Sequence, residues 1–198
     1  MQQKVTILNK RDEKLVGVLH DTASQKLVVL CHGFRSTKEF DIMVNVASAL
    51  ESEGISAFRF DFSGNGESEG LFHFGNYSSE VEDLRSVIDY FQEINRSTVA
   101  ILGHSKGGNV VLLYASKYHD IPAVVNISGR YDLKKGLEER IGKKFLEKIN
   151  KDGYIDIKKR TGEVDYRGQG ANHGYSSHQD ELVSAVLPFI KELNALTI

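Results

Sequence analysis

Residues 98–107 read TVAILGHSKG and join a β-branched, apolar run to a Gly-x-Ser-x-Gly pentapeptide centred on Ser105. The apolar residues Val110, Val111, Leu113 and Tyr114 then recur at helical spacing, so the pattern predicts a strand, a sharp turn and a helix. A serine at such a turn takes strained backbone angles that raise its hydroxyl above the sheet, and the flanking glycines leave room where strand and helix meet. The stretch therefore predicts a nucleophile elbow at Ser105; the alternative is an ordinary glycine-rich turn.

Strands and helices alternate on both sides of this stretch. Apolar strands are predicted at residues 26–31, 55–61, 98–102 and 122–128, and helices with one apolar face at residues 40–50, 79–91 and 106–118. Continuous apolar strands are expected when helices cover both faces of a parallel sheet. Two shorter runs, residues 4–8 and 15–19, predict an antiparallel hairpin at a sheet edge. We therefore predict an α/β fold with a mostly parallel sheet and helices on both faces.

The composition is typical of a single domain that does not bind nucleic acid. The chain has 198 residues, of which 40% are hydrophobic and 26% are charged, and its formal net charge is −2. This length supports one substantial core, and the near-neutral charge disfavours a phosphate-backbone partner. Cys31 is the only cysteine, so an intrachain disulfide is excluded and a reducing compartment is favoured.

No targeting or membrane segment is predicted. Residues 1–15 alternate polar and charged residues without the apolar core of a secretory signal. No apolar run approaches the ~20 residues that a helix needs to cross a bilayer. We therefore expect a cytoplasmic protein without a membrane span, and the sequence indicates no particular oligomeric state.

No cofactor or metal site is predicted either. Gly64 and Gly66 begin a G-x-G-x-x-G pattern, but Glu69 stands where the third glycine belongs, and the chain has no G-K-[ST] sequence. Nucleotide binding at this loop is therefore a disfavoured alternative.

A serine hydroxyl needs a base to accept its proton, and a neutral histidine suits that role near pH 7. Of the seven histidines, His173 is our candidate, because it lies in a glycine-bracketed loop before the last predicted helix and follows the serine in chain order. The alternative is an exposed loop histidine. The oxyanion that develops needs donors, and the backbone amides of Phe34 and Lys106 are the candidates. Phe34 lies in the loop that follows the strand at residues 26–31. The alternative is that residues 32–34 form only a tight turn at the end of this strand.

Four motifs occur together, namely His32-Gly33-Phe34, the loop at residues 61–68, Gly103-His104-Ser105-Lys106-Gly107 and Ala171-Asn172-His173-Gly174. In this order and spacing they resemble the α/β-hydrolase superfamily. The chain is similar to capped serine esterases such as cinnamoyl or feruloyl esterases, monoacylglycerol lipases and the serine aminopeptidase S33 group. The resemblance implies hydrolysis of a small-molecule carboxylic ester, with Ser105 as nucleophile, His173 as base and the amides of Phe34 and Lys106 as oxyanion hole.

The pattern after residue 132 divides the chain into three predicted parts. Residues 1–132 are the α/β-hydrolase core. Residues 133–167 are a cap insertion, with an amphipathic helical segment followed by a hairpin within residues 154–167. Residues 168–198 are the C-terminal part of the core, with the His173 loop and the last helix.

The third catalytic group is missing from its usual place. Enzymes of the resembled group usually carry two more strands and an aspartate in an H-G-x-x-D-type loop between the cap and the final histidine. Here residues 168–172 contain neither an apolar strand nor an aspartate, so we expect the last two strands and the usual acid to be absent. Asp132 is the candidate substitute, because some lipases of this fold place the acid after that earlier strand; the alternative is a turn-forming aspartate.

If no acid orients His173, we expect weak or absent hydrolysis. The alternative function is a non-catalytic ligand-binding or regulatory protein built on the same fold.

Overall fold

A computed structural model describes residues 1–73, 75–130, 156–158, 164–167 and 190–191 of the chain. The strands within these residues are β1 Gln2–Leu8, β2 Lys14–His20, β3 Lys26–Cys31, β4 Ser56–Phe60, β5 Ser97–His104, β6 Ala123–Ile127, β7 Asp156–Lys158 and β8 Val164–Arg167. The helices are α1 Asp41–Ser52, α2 Tyr77–Glu93 and α3 Lys106–Tyr118. Strands and helices alternate from β3 to β6, as the apolar pattern predicts.

Six strands form one sheet in the order β1-β2-β4-β3-β5-β6. The strands β3, β4, β5 and β6 run parallel to one another, whereas β2 is antiparallel to both β1 and β4. The predicted N-terminal hairpin therefore lies at one edge of a mostly parallel sheet. At the other edge, no strand among the described residues pairs with the outer side of β6. Residues 168–189 lie outside the described residues, so the absence of the last two strands stays a prediction.

Successive residues of β3 point into two different cores. Val28 and Leu30 pack in the core that contains α1, whereas Leu27, Val29 and Cys31 pack in the core that contains α2 and α3. All five are fully buried. A strand that is covered on both faces has no polar side, which explains the continuous apolar run. The prediction of helices on both faces is confirmed.

The chain divides into two compact units, and the sheet belongs to the unit that contains Met1–Phe72 and Tyr77–Gly129. The second unit contains β7 and β8, which pair antiparallel with Asp156 opposite Arg167 and Ile157 opposite Tyr166. The hairpin predicted within residues 154–167 is thus present in these two strands. The helical segment predicted after residue 133 lies outside the described residues, and the boundaries of the cap stay predictions.

Phe58 lies in the core between the sheet and α2, where we expect truncation to be costly. It is fully buried, and its ring lies 6.0 Å from that of Phe60 and 4.9 Å from that of Phe91. Phe58→Ala should lower the free energy of unfolding by about 3–5 kcal/mol, because it loses apolar burial and leaves a cavity. Urea unfolding followed by circular dichroism measures this change. Leu8→Ala is the control: Leu8 is 60% exposed, so its loss should stay below about 0.5 kcal/mol, and equal losses would contradict the assignment of the core.

Candidate active site

The strand, sharp turn and helix predicted around Ser105 are present. Ser105 lies between β5 and α3 with φ 53° and ψ −113°, a backbone conformation that residues other than glycine rarely adopt. Such strain costs on the order of 1–3 kcal/mol and is found where a site requires it. The Ser105 amide donates a hydrogen bond of 2.8 Å to the carbonyl of Ile127 at the end of β6. An anion beside the Ser105 hydroxyl must therefore find its donors on other residues.

Two glycines allow the turn to pack tightly. A Cβ at Gly103 would overlap the backbone of Gly107, and a Cβ at Gly107 would overlap the carbonyl oxygens of Cys31 and His32. The first turn of α3 therefore lies with its backbone directly against the end of β3. A side chain at either position would push α3 away from the sheet.

The loop after β3 lies beside the serine. A Cβ built on Gly33 would stand 3.4 Å from the Cβ of Ser105 and 3.2 Å from Nδ1 of His104. Phe34 follows Gly33, and its ring centroid is 5.8 Å from Nζ of Lys106. The fold thus brings Phe34 and Lys106, the two residues predicted to supply oxyanion donors, to the same place as Ser105.

His32 is held neutral inside this loop. Its Nδ1 donates to the carbonyl of Gly33 at 2.8 Å, and its Nε2 accepts from the amide of Phe62 at 3.1 Å. A carbonyl only accepts and an amide only donates, so these partners assign the proton to Nδ1. Burial lowers the pKa of His32 from 6.5 to about 4. The ring therefore acts as a fixed bridge between the loops after β3 and β4.

Asp61 joins the same two loops through a buried ion pair. Its carboxylate accepts hydrogen bonds from the Lys38 ammonium at 2.7 Å, the Lys38 amide at 2.6 Å and the Glu67 amide at 3.0 Å. In the glycine loop, the amide of Gly64 donates to the carbonyl of Glu69. Because these amides already have internal partners, they are not available to cradle a phosphate.

Lys106 is buried together with an acidic partner on α2. Its Nζ lies 2.5 Å from Oε1 of Glu80, and the two side chains are 6% and 7% exposed. The same Nζ lies 5.8 Å from the ring centroid of Phe34, 5.9 Å from that of Phe72 and 5.8 Å from that of Tyr77. Burial raises the pKa of Glu80 to about 7, although the Lys106 ammonium opposes that rise. The second oxygen, Oε2, is buried and has no hydrogen-bond partner in the described part of the chain.

Glu80 and Asn126 belong to the site although no motif predicts them. Oδ1 of Asn126 accepts the amide of Gly129 at 2.7 Å, and a Cβ at Gly108 would overlap this oxygen. Asn126 therefore packs against the first turn of α3. One signal for Glu80 was present in the sequence: it lies four residues before Leu84 and seven before Val87, on the buried face of α2, and a carboxylate on a buried face requires a partner.

The candidate base and acid lie outside the described residues. The structure describes neither His173 nor Asp132, so their distances to Ser105 are untested and their roles stay predictions. Within the described residues, no cluster of three His, Cys, Asp or Glu side chains could hold a metal ion. Over the same part of the chain, every helix is too short or too polar to span a membrane.

A mostly parallel sheet between two helical layers, with a strained serine between the parallel strand β5 and the helix α3, defines the α/β-hydrolase fold. Solved α/β hydrolases share this architecture. A profile of the family described as serine aminopeptidase, S33 matches residues 22–162. The chain therefore belongs to the serine aminopeptidase S33 family.

Three relatives illustrate the similarity. The monoacylglycerol lipase of Mycolicibacterium smegmatis is 30% identical over 111 residues, which cover 55% of this chain and 39% of the lipase. The esterase Pf2001 of Pyrococcus furiosus is 26% identical with a TM-score of 0.63, covering 74% of this chain and 59% of the esterase. Est1E of Butyrivibrio proteoclasticus, solved with bound ferulic acid, is 26% identical with a TM-score of 0.56, covering 62% and 51%. Each match thus spans less than two thirds of the relative's own length.

The neutral state of His32 predicts a loss of stability in mild acid. Above the unfolded pKa of about 6.5, the ring is neutral in both states and contributes no pH dependence. As the pH falls below that value, the unfolded chain binds a proton that the folded chain refuses, so stability declines until the folded pKa of about 4 is reached. The full loss from this group is about 3 kcal/mol.

Urea unfolding between about pH 7 and about pH 4.5 measures this loss. His32→Gln is the matched variant, because glutamine keeps one donor and one acceptor but does not titrate. Its stability should fall less steeply with acid than that of the wild type. Identical pH dependence in the two proteins would show that His32 is not held neutral.

Proposed function

We propose that the chain is a serine hydrolase that cleaves small-molecule carboxylic esters through an acyl-enzyme on Ser105. The observation that carries the proposal is the strained Ser105 backbone, with φ 53°, at the turn between β5 and α3. Membership of the S33 family supports hydrolase chemistry. The nearness of Gly33 to Ser105 supports a site for the carbonyl oxygen beside the hydroxyl.

The proposed reaction has two halves. The Ser105 oxygen attacks the ester carbonyl while His173 takes the hydroxyl proton, and the tetrahedral intermediate then expels the alcohol, which receives that proton. A water molecule attacks the acyl-enzyme with His173 again as base, which releases the acid and regenerates the serine.

The oxyanion in both halves is proposed to bind the amides of Phe34 and Lys106. The Ser105 amide is committed to the carbonyl of Ile127, so it does not compete for this role. One such donor is worth about 10²–10³ in rate, because it acts where charge develops and water is excluded.

Hydrolysis is proposed to be weak unless another carboxylate replaces the aspartate that usually orients the histidine, which residues 168–172 lack. Asp132 is proposed as the substitute acid. Without an orienting acid the expected penalty is about 10⁴ in kcat rather than complete loss.

The substrate is proposed to be an ester rather than a peptide. The names of two similar proteins support this proposal: one is the monoacylglycerol lipase of Mycolicibacterium smegmatis and the other is an esterase of Pyrococcus furiosus. A cytoplasmic location is proposed because the single cysteine, Cys31, is fully buried as a free thiol and no disulfide stabilises the fold.

Covalent labelling tests the nucleophile. A fluorophosphonate should modify Ser105, and Ser105→Ala should abolish both the label and the turnover of p-nitrophenyl esters of rising acyl length, because no other group forms the acyl-enzyme. Ser97→Ala, at an exposed position of β5, is the control and should retain both. A wild-type chain that is not labelled, but binds small molecules equally well after Ser105→Ala, would instead support the non-catalytic alternative.

A second comparison tests the acid. If Asp132 orients His173, Asp132→Asn should lower kcat by about 10⁴ with little change in KM, because the asparagine favours the wrong tautomer of the base. His173→Ala should lower kcat at least as much. Unchanged kcat in Asp132→Asn would remove this residue from the mechanism without affecting the assignment of Ser105.

A further inference from the structure

Lys106 places an ammonium where the local structure disfavours one. It is the first residue of α3, and the N-terminus of a helix carries partial positive charge. Its side chain is 6% exposed, so the charge is also largely withdrawn from water. The position is tolerated because Oε1 of Glu80 lies 2.5 Å from Nζ.

Net stability does not account for this pair. Buried ion pairs are often no more stabilising than well-packed apolar residues of similar size, because desolvation offsets the attraction. A methionine at position 106 would fill the same space among the rings of Phe34, Phe72 and Tyr77. What the pair provides is a directed link between defined atoms, which an apolar contact does not provide.

The link joins three segments that are distant in sequence. Glu80 is on α2, Lys106 begins α3, and Phe34 lies in the loop after β3, with its ring 5.8 Å from the ammonium. The Phe34 ring also packs on that of Phe72 at 5.6 Å. One side chain therefore connects the two residues whose amides are proposed as oxyanion donors, and Glu80 determines where that side chain lies.

We infer that Glu80 is a positioning residue for the oxyanion hole, because its carboxylate holds Lys106 and, through the ammonium, the ring of Phe34. The inference rests on the proposed function, since it concerns the amides proposed to bind the oxyanion. Glu80 acts through Lys106 and does not itself touch the substrate.

The environment of Glu80 supports this role. Oε2 makes no hydrogen bond within the described residues, so the carboxylate is oriented through Oε1, which faces Lys106. Asp83 is the other charged group that acts on this carboxyl, and it raises the pKa in the same direction as burial. The Lys106 ammonium lowers the pKa of Glu80 and so opposes both burial and Asp83. A chain without this ammonium would therefore hold Glu80 as a neutral acid at neutral pH.

The test uses Glu80→Gln, Lys106→Met and the double variant in the full chain. For each we would measure the second-order rate of fluorophosphonate labelling of Ser105, and kcat and KM for a p-nitrophenyl ester. Each single change should lower the labelling rate and kcat about 10- to 100-fold, because small displacements of oxyanion donors have effects of this size. KM should change by less than about 2-fold, and the double variant should lose no more than either single variant, because the two groups act as a unit.

The pair between Glu82 and Lys117 provides a matched control. It also joins α2 to α3, with Oε1 of Glu82 2.5 Å from Nζ of Lys117, but it lies at the far end of α3 from Ser105. Glu82→Gln should therefore leave the labelling rate and kcat at the wild-type value. A thermal melt of every variant separates an effect on folding from an effect on the rate of the folded chain.

Several outcomes would overturn the inference. These are wild-type labelling rates in both single variants, losses that add in the double variant, a rise in KM with kcat unchanged, or a loss in Glu82→Gln as large as in Glu80→Gln. If Glu80→Gln does not fold, Lys106→Met decides, because it leaves a neutral acid rather than a lone buried charge. A wild-type chain that is not labelled at Ser105 overturns the proposed function as well, whereas normal wild-type labelling with unaffected variants overturns this inference alone.

Discussion

The contact between the backbone at the start of α3 and the backbone at the end of β3 is the constraint on which the site depends. Gly107 touches the carbonyls of Cys31 and His32, and no larger residue fits there. Because two main chains meet without side chains between them, the loops after β3 and β5 come into direct contact, and Gly33 reaches Ser105. The strain at Ser105, on the order of 1–3 kcal/mol, persists because the cores on both faces of the sheet hold the strand and the helix in place.

Around this contact, buried polar groups hold the loops in place. His32 bridges two loops as a neutral ring, Lys38 and Asp61 join the same loops as an ion pair, and Glu80 ties Lys106 to α2. Each group is costly to bury alone and is compensated only by its particular partner. Such groups contribute little net stability, but they favour one arrangement of the loops over others. The surroundings of Ser105 are therefore held by directed bonds as well as by apolar packing.

The apolar pattern predicted the strands and helices within the described residues correctly, but it did not predict which of them lie next to each other. The strand predicted at residues 26–31 and the helix predicted at residues 106–118 coincide with β3 and α3, because burial on both faces or on one helical face leaves a clear period. The hairpin strands are longer than predicted, since His20 pairs with Ala57 of β4 and extends β2 beyond its apolar run. The order of the sheet was not predictable, because periodicity shows which face of an element is buried but not which element covers it.

The sequence by itself determined the alternation of strands and helices and the turn at Ser105, because both follow from residues that are neighbours in the chain. Family membership also follows from the sequence, through the match of residues 22–162. Only the tertiary structure decided that Gly33 lies against Ser105, that Asp61 is committed to Lys38, and that Glu80 pairs with Lys106, 26 positions away. The physical reason is that a buried polar side chain takes its partner from whichever element packs against it, and that choice depends on how the whole sheet and its helices assemble.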